Sequence, residues 1–273
     1  MRPAYFGSSA RPLFGIHELP RAAAAGSGAV LLCYPGVQEY NMAHWAFRRL
    51  SSMLAREGFH VMRFDWSGTG DSWGQTVDGT VDRWLDDVNT AVQELRDTSG
   101  AETLSVVGMR LGAALAALAC AGAGEKVAAA LADRLVIWDP VVTGRQYIEE
   151  LEAFDSKENL RLLHDASDGR GARDARDELV GFPFPLSLRA SIEGIDLRTK
   201  PPRGARRMAI VGSSARSDHA ELYGVLVRMG VDVTYDCVPE DPSSANSGQN
   251  DSALLPTRSL AAITDRLLGR VPA

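Results

Sequence analysis

Gly108-Met109-Arg110-Leu111-Gly112 constrains this chain more than any other stretch. Leu104-Ser105-Val106-Val107 before it reads as a buried strand, and Leu111-Gly112-Ala113-Ala114-Leu115-Ala116-Ala117-Leu118 after it reads as a helix of small and apolar residues. Glycines on either side of a strand-to-helix junction let the backbone turn sharply and let the helix pack close to the sheet. This is the frame of a nucleophile elbow, Gly-x-Ser-x-Gly, which holds a serine hydroxyl out at the tip of the turn. Here an arginine stands in the serine's place. A guanidinium stays protonated at physiological pH, has no lone pair to attack a carbonyl, and only donates hydrogen bonds.

An elbow serine works with an acid and then a histidine, in that order along the chain. The five histidines are His17, His44, His60, His164 and His219, and none follows His219. Residues 239–251, where the base belongs, read Pro-Glu-Asp-Pro-Ser-Ser-Ala-Asn-Ser-Gly-Gln-Asn-Asp. Two of the three roles are missing together, which argues against an acyl-enzyme route.

Strands and helices alternate along the rest of the chain. Phe14 to Glu18 closes an N-terminal hairpin. Ala29 to Tyr34 is a continuous apolar run, as in a strand covered on both faces. The pattern predicts further strands at His60 to Phe64, Leu104 to Val107, Leu135 to Trp138, Met208 to Val211 and Val231 to Val238. It predicts helices at His44 to Arg56, Val81 to Leu95, His219 to Arg228 and Arg258 to Leu268, besides the one after the elbow. Such alternation implies an α/β fold with a mainly parallel sheet and helices on both faces. Gln146 to Arg198 breaks the rhythm. It has no convincing strand, a charged helical stretch from Tyr147 to Leu163, a Gly/Asp/Arg-rich link from Asp168 to Asp174, and Phe182-Pro183-Phe184-Pro185-Leu186. So long an insert is expected to be a helical cap over the sheet's C-terminal edge. The expected division is a core of 1–145 with 199–273, and a cap of 146–198.

Composition narrows the function classes. A net charge of −6 speaks against general nucleic-acid binding. The longest apolar stretch, Leu111 to Ala121, is too short to span a bilayer, and the N-terminus lacks the apolar run of a signal peptide. A cytoplasmic protein is expected. Cys33, Cys120 and Cys237 read as buried core thiols of a reducing compartment. No metal-ligand cluster, dinucleotide pattern or phosphate loop is found, so no cofactor and no metal are expected. Gly68-Thr69-Gly70 is read as part of the turn after the fourth strand.

These pieces together resemble the α/β-hydrolase superfamily and, more narrowly, the exosortase-A-system-associated hydrolases. The matching blocks are Tyr34-Pro35-Gly36-Val37-Gln38-Glu39-Tyr40-Asn41, Phe64-Asp65-Trp66-Ser67-Gly68-Thr69-Gly70-Asp71-Ser72, Gly108 to Ala113, Trp138-Asp139-Pro140-Val141-Val142-Thr143-Gly144-Arg145-Gln146, and Glu178 to Phe182 with Leu188 to Leu197. Relatives in that subgroup also carry arginine at the elbow. The resemblance implies the fold; a hydrolase label on such groups follows the fold.

The resemblance also implies a site. The loop after the third strand supplies an oxyanion-binding amide, so Val37 and Gln38, with Met109 or Leu111, are candidates to bind a carbonyl or carboxylate oxygen. Tyr34, Gly36 and Asp139 are the further candidates for ligand binding. Arg110 is the leading catalytic candidate. A cation at a helix N-terminus needs an anion in reach, either a ligand's acidic group or an internal carboxylate from Asp139, Asp65 or Asp218. Asp218 matches the triad acid in position and equally suits the start of a helix. Glu39 is either a general base under a dry cap or an ordinary surface carboxylate.

Two readings follow. One is an enzyme acting on a small acidic or carbonyl-containing biosynthetic intermediate by a non-acyl-enzyme route, whether hydrolase-like, lyase or cyclase. The other is a non-catalytic pseudo-hydrolase that binds a ligand or partner. A small-molecule ligand is expected, nucleic acid and membrane are not, and a homodimer is left open. A large capped pocket ending at Arg110 would favour a site that takes a ligand. A filled one would favour a structural or partner-binding role.

Overall fold

The structure is a computed structural model that describes residues 1–21, 28–36, 39–126, 131–165, 178–240 and 256–271, with the backbone alone for 123–126 and 157–165. The expected Val37 and Gln38, the 168–174 link and most of the 239–251 segment lie outside the described residues.

An eight-stranded sheet forms the centre. Its strands are β1 (Arg2–Ser8), β2 (Arg11–Glu18), β3 (Ala29–Cys33), β4 (His60–Phe64), β5 (Leu104–Met109), β6 (Ala132–Trp138), β9 (Ala205–Gly212) and β10 (Val233–Cys237). Their order is β1-β2-β4-β3-β5-β6-β9-β10. β1 and β2 form an antiparallel hairpin that joins β4 antiparallel, and every other pairing is parallel. All of β3 is buried, as its unbroken apolar run requires of a strand with helices on both sides. Helices α1 (Glu39–Arg56) and α7 (Thr257–Leu268) cover one face. On the other lie α2 (Val81–Ser99), α3 (Leu111–Lys126) and α6 (Ser217–Arg228). The chain winds outward in opposite directions from β3 and β5, so the loops at their C-terminal ends diverge and leave a crevice there. Tyr34 and Arg110 sit at those two strand ends.

After β6 the chain enters α4 (Gly144–Asp165), then β7 (Glu178–Leu179), β8 (Phe182–Pro183) and α5 (Leu186–Glu193). The pattern predicted no strand here. The short β7–β8 hairpin turns through Val180 at φ 53° and Gly181 at φ 77°. Two successive positive φ values belong to a tight hairpin turn, and a β-branched residue in that conformation is what hid it from the sequence. Tyr147, Ile148 and Leu151 of α4 are buried in one cluster with Leu188 and Ile192 of α5.

Two other expectations change. Helix α1 starts at Glu39 rather than His44, so Glu39 stands in its first turn, where a carboxylate complements the helix dipole. Cys33 and Cys120 are buried, but Cys237 is exposed, because β10 is the sheet's edge strand and has one neighbour only.

Candidate functional site

The elbow is formed by backbone demand. Arg110 adopts φ 53°, a conformation that costs a non-glycine residue energy. Its N–H donates to the Trp138 carbonyl at 3.0 Å, and its own carbonyl accepts from Ala113, Ala114 and Val141. A Cβ on Gly108 would lie 2.6 Å from the Ala113 Cα, and one on Gly112 would meet the Cys33 carbonyl at 2.5 Å and the Tyr34 carbonyl. Both glycines are therefore fixed by close approach, and the residue between them is pushed out at the tip.

What stands at the tip is a guanidinium held between carboxylates. Arg110 Nε donates to Glu39 Oε1 at 2.8 Å, and Arg110 Nη2 donates to Glu150 Oε2 at 2.6 Å. The Tyr147 hydroxyl donates to the second Glu39 oxygen at 3.0 Å, and the Arg110 guanidinium lies 5.5 Å from the centre of the Tyr147 ring. Glu150 Oε1 accepts from Arg216 Nη2 at 2.7 Å, and Arg216 also grips Asp218 at 2.9 and 3.1 Å. The result is a ladder, Glu39–Arg110–Glu150–Arg216–Asp218, running from α1 across the elbow and α4 to α6. Alternating charges offset the cost of placing a cation beside the start of α3.

The protonation states follow. Burial works against the charged form of Arg110, but Glu39 and Glu150 outweigh it and hold its pKa above the ordinary value. Burial would raise Glu150, yet hydrogen bonds from Arg216 and Arg110 bring it below its ordinary 4.5. Asp218 is likewise lowered, with burial opposed by Arg216. Burial, reinforced by Glu39, pushes the Tyr147 phenol well above its usual range, so it stays a donor.

Among the described residues, little space remains. The cleft beside Arg110, bordered by Val141, Tyr147, Glu150 and Arg216, holds about 10 Å³, room for about one water molecule.

The structure corrects the expected partners of Arg110. Asp139, with φ 41°, accepts from the Ser213 N–H at 2.8 Å. Asp65 organises its own turn, accepting from the Tyr40 hydroxyl at 2.8 Å and the Asp71 N–H at 3.1 Å. Asp218 reaches the ladder only through Arg216. Each of the three satisfies local backbone or neighbouring side chains before Arg110 can compete. Among the ligand-binding candidates, Tyr34 and Leu111 are buried, and the Tyr34 hydroxyl accepts from Arg63 Nη1 at 3.1 Å. A Cβ on Gly36 would lie 2.7 Å from Leu111 Cδ2, so that loop packs on the elbow helix. Met109 is half-buried. Buried His219 places Nε2 3.2 Å from the Pro140 carbonyl. Tyr147, Glu150 and Arg216 were missed by sequence reasoning. The available signal was the i, i+3 spacing of Tyr147 and Glu150 in the first turns of the helix after β6.

Among the described residues, no group of three or more His, Cys, Asp or Glu side chains could hold a metal ion, and no helix is long and apolar enough to cross a membrane.

Strand order, elbow and crevice define the α/β-hydrolase fold, and the comparisons agree with it. Residues 27–160 match the family model described as serine aminopeptidase, S33. A search of curated proteins gave no match. Among solved structures, the chain is similar to Est1E from Butyrivibrio proteoclasticus with ferulic acid bound, at 14% identity and TM-score 0.64 over 98% of both chains. It is similar to mouse alpha/beta hydrolase domain-containing protein 10, at 15% identity and TM-score 0.59 over 98% of both. It also resembles XC6422 from Xanthomonas campestris, a member of the a/b serine hydrolases without lid, at 16% identity and TM-score 0.59 over 100% of this chain and 95% of that one. At these identities the likeness speaks for the fold alone.

Proposed function

We propose that this chain is a pseudo-hydrolase, a hydrolase-fold protein that forms no acyl-enzyme and serves as a ligand- or partner-binding protein. One observation carries the reading: the residue at the elbow tip is Arg110, clamped between Glu39 and Glu150. A nucleophile must be free to reach a carbonyl, and a base must be free to take its proton. Both Glu39 oxygens already accept hydrogen bonds, one from Arg110 and one from Tyr147. In this reading residues 146–198 are a cap, fastened to the core of 1–145 and 199–273 by Glu150. The arginine elbow also keeps the exosortase-associated group as the proposed subgroup.

A second reading draws on the same cluster. A carboxylate, a cation and a phenol meet at Glu39, Arg110 and Tyr147, a set that would serve acid–base chemistry on a small acidic or carbonyl-containing substrate. A panel of p-nitrophenyl esters separates the readings, measured on the wild type and on Arg110→Ser. The pseudo-hydrolase reading expects no turnover by either protein above buffer. Turnover by the wild type that Glu39→Gln abolishes would establish the enzymatic reading instead.

A further inference from the structure

The contacts of Glu150 differ in kind from those of Glu39 and Asp218. Glu39 belongs to α1 and Asp218 to α6, both parts of the core sheet's cover. Each orients one guanidinium: Glu39 through Arg110 Nε, Asp218 through Arg216 Nε and Nη2. Arg110 Nη2 and the second N–H of Arg216 Nη2 then converge from two core elements on a single carboxylate. One oxygen of Glu150 takes 2.6 Å from Arg110 and the other takes 2.7 Å from Arg216, with Gln146 Nε2 farther off at 3.4 Å. Paired guanidiniums addressing the two oxygens of one carboxylate make a charge-assisted receptor with geometric specificity. The carboxylate in it comes from α4, and its side chain is 33% exposed.

We propose that Arg110 and Arg216 form a carboxylate-binding site, and that Glu150 is a resident stand-in which a ligand's carboxylate displaces. The inference rests on reading Arg110 as a binder and names the ligand class for that reading. Space and charge set the class. With about 10 Å³ beside the fork, a ligand replaces the Glu150 carboxylate and does not join it. The ladder holds three carboxylates and two guanidiniums, so exchanging one carboxylate for another leaves its charge unchanged. A phosphate dianion would bring one charge more than a carboxylate beside Glu39 and Asp218 and is disfavoured against it. Val141 and Tyr147 border the cleft, so a carboxylate on a short apolar chain fits best.

Glu150→Ala empties the fork and makes the site measurable with acetate and propionate. The variant is expected to melt about 5 °C below the wild type in sodium chloride. Acetate or propionate at matched ionic strength then restores the melting temperature saturably, while phosphate does not, and Glu150→Ala/Arg216→Met loses the response. If Glu150→Ala does not fold in chloride, refolding yield with and without acetate is the readout, and a carboxylate-dependent yield is expected. Equal behaviour in chloride and acetate, an equal response to phosphate, or a response that survives loss of Arg216 would each overturn the proposal. Esterase turnover by the wild type would undo the pseudo-hydrolase reading without touching the acetate response, so the two fail separately.

Discussion

Replacing Arg110 with methionine removes the charge at the centre of the ladder and keeps most of the stem. The elbow strain cancels, because methionine inherits the same φ of 53°. Stranding the partners of a fully buried pair costs about 3–5 kcal/mol. Here the Glu39 and Glu150 side chains are 23% and 33% exposed, so both regain part of their hydration. That brings the ion-pair part to about 2 kcal/mol. Losing the cation over the Tyr147 ring adds about 0.5–1 kcal/mol. The sum of about 2–3 kcal/mol corresponds to a fall in Tm of roughly 5–10 °C for a chain of this length. Urea unfolding of the wild type, Arg110→Met, Glu150→Gln and the double variant reads the loss and its coupling. A coupling energy of about 1–2 kcal/mol is expected between two residues in direct contact. A single variant within about 0.5 kcal/mol of the wild type, with no coupling, would refute the reasoning that the elbow cation is structural.

Gly112→Ala should be more damaging than its size suggests, because the added methyl meets the Cys33 and Tyr34 carbonyls; a loss of at least about 2 kcal/mol in urea is expected, and a neutral variant would mean the elbow can open. Stability should decline as pH falls below 6.5. Burial lowers His17 to about 4, aided by His60, and burial likewise lowers His44, His60 and His219, so the unfolded chain takes up protons first. His17→Asn should flatten the fall in urea midpoint between pH 6.5 and 4; an unchanged slope would discount that histidine. A separate loss should set in at lower pH. Glu150 and Asp218 have depressed pKa values, so their contribution is present above their ordinary 4.5 and 3.8 and disappears as pH falls through the lower folded values. Arg216→Met should shrink that acid step, and an identical step would place its origin elsewhere.

The elbow was legible because most of its constraint is local: Gly108 answers to backbone contacts within one strand–turn–helix unit, while Gly112 answers to the Cys33 and Tyr34 carbonyls at the end of neighbouring β3. The parallel strands were legible because β3 and β5 are covered on both faces: β3 reads as an unbroken apolar run and β5 as a mostly apolar one with Ser105 inside it. Partner choice at Arg110 was not. The sequence placed carboxylates at strand ends, but Asp139 is taken by the Ser213 backbone amide at the end of neighbouring β9, and Asp65 by the Asp71 amide of its own turn. Glu39 was read as a loop residue, and one extra turn of α1 carried it to the elbow. Glu150 reaches Arg110 only because α4 packs back over the strand ends, a docking that no periodicity encodes. The β7–β8 hairpin escaped notice because Val180 sits where glycine or asparagine is expected.

The central claim is that the elbow carries a structural cation and no nucleophile. Its most direct measurement is intact-protein mass spectrometry of the wild type after incubation with a fluorophosphonate probe, followed by peptide mapping. The account predicts an unmodified mass under conditions that label a serine hydrolase to completion. Stoichiometric labelling of a serine, such as Ser213 or Ser214 after β9, would contradict it and move the nucleophile to the β9–α6 segment.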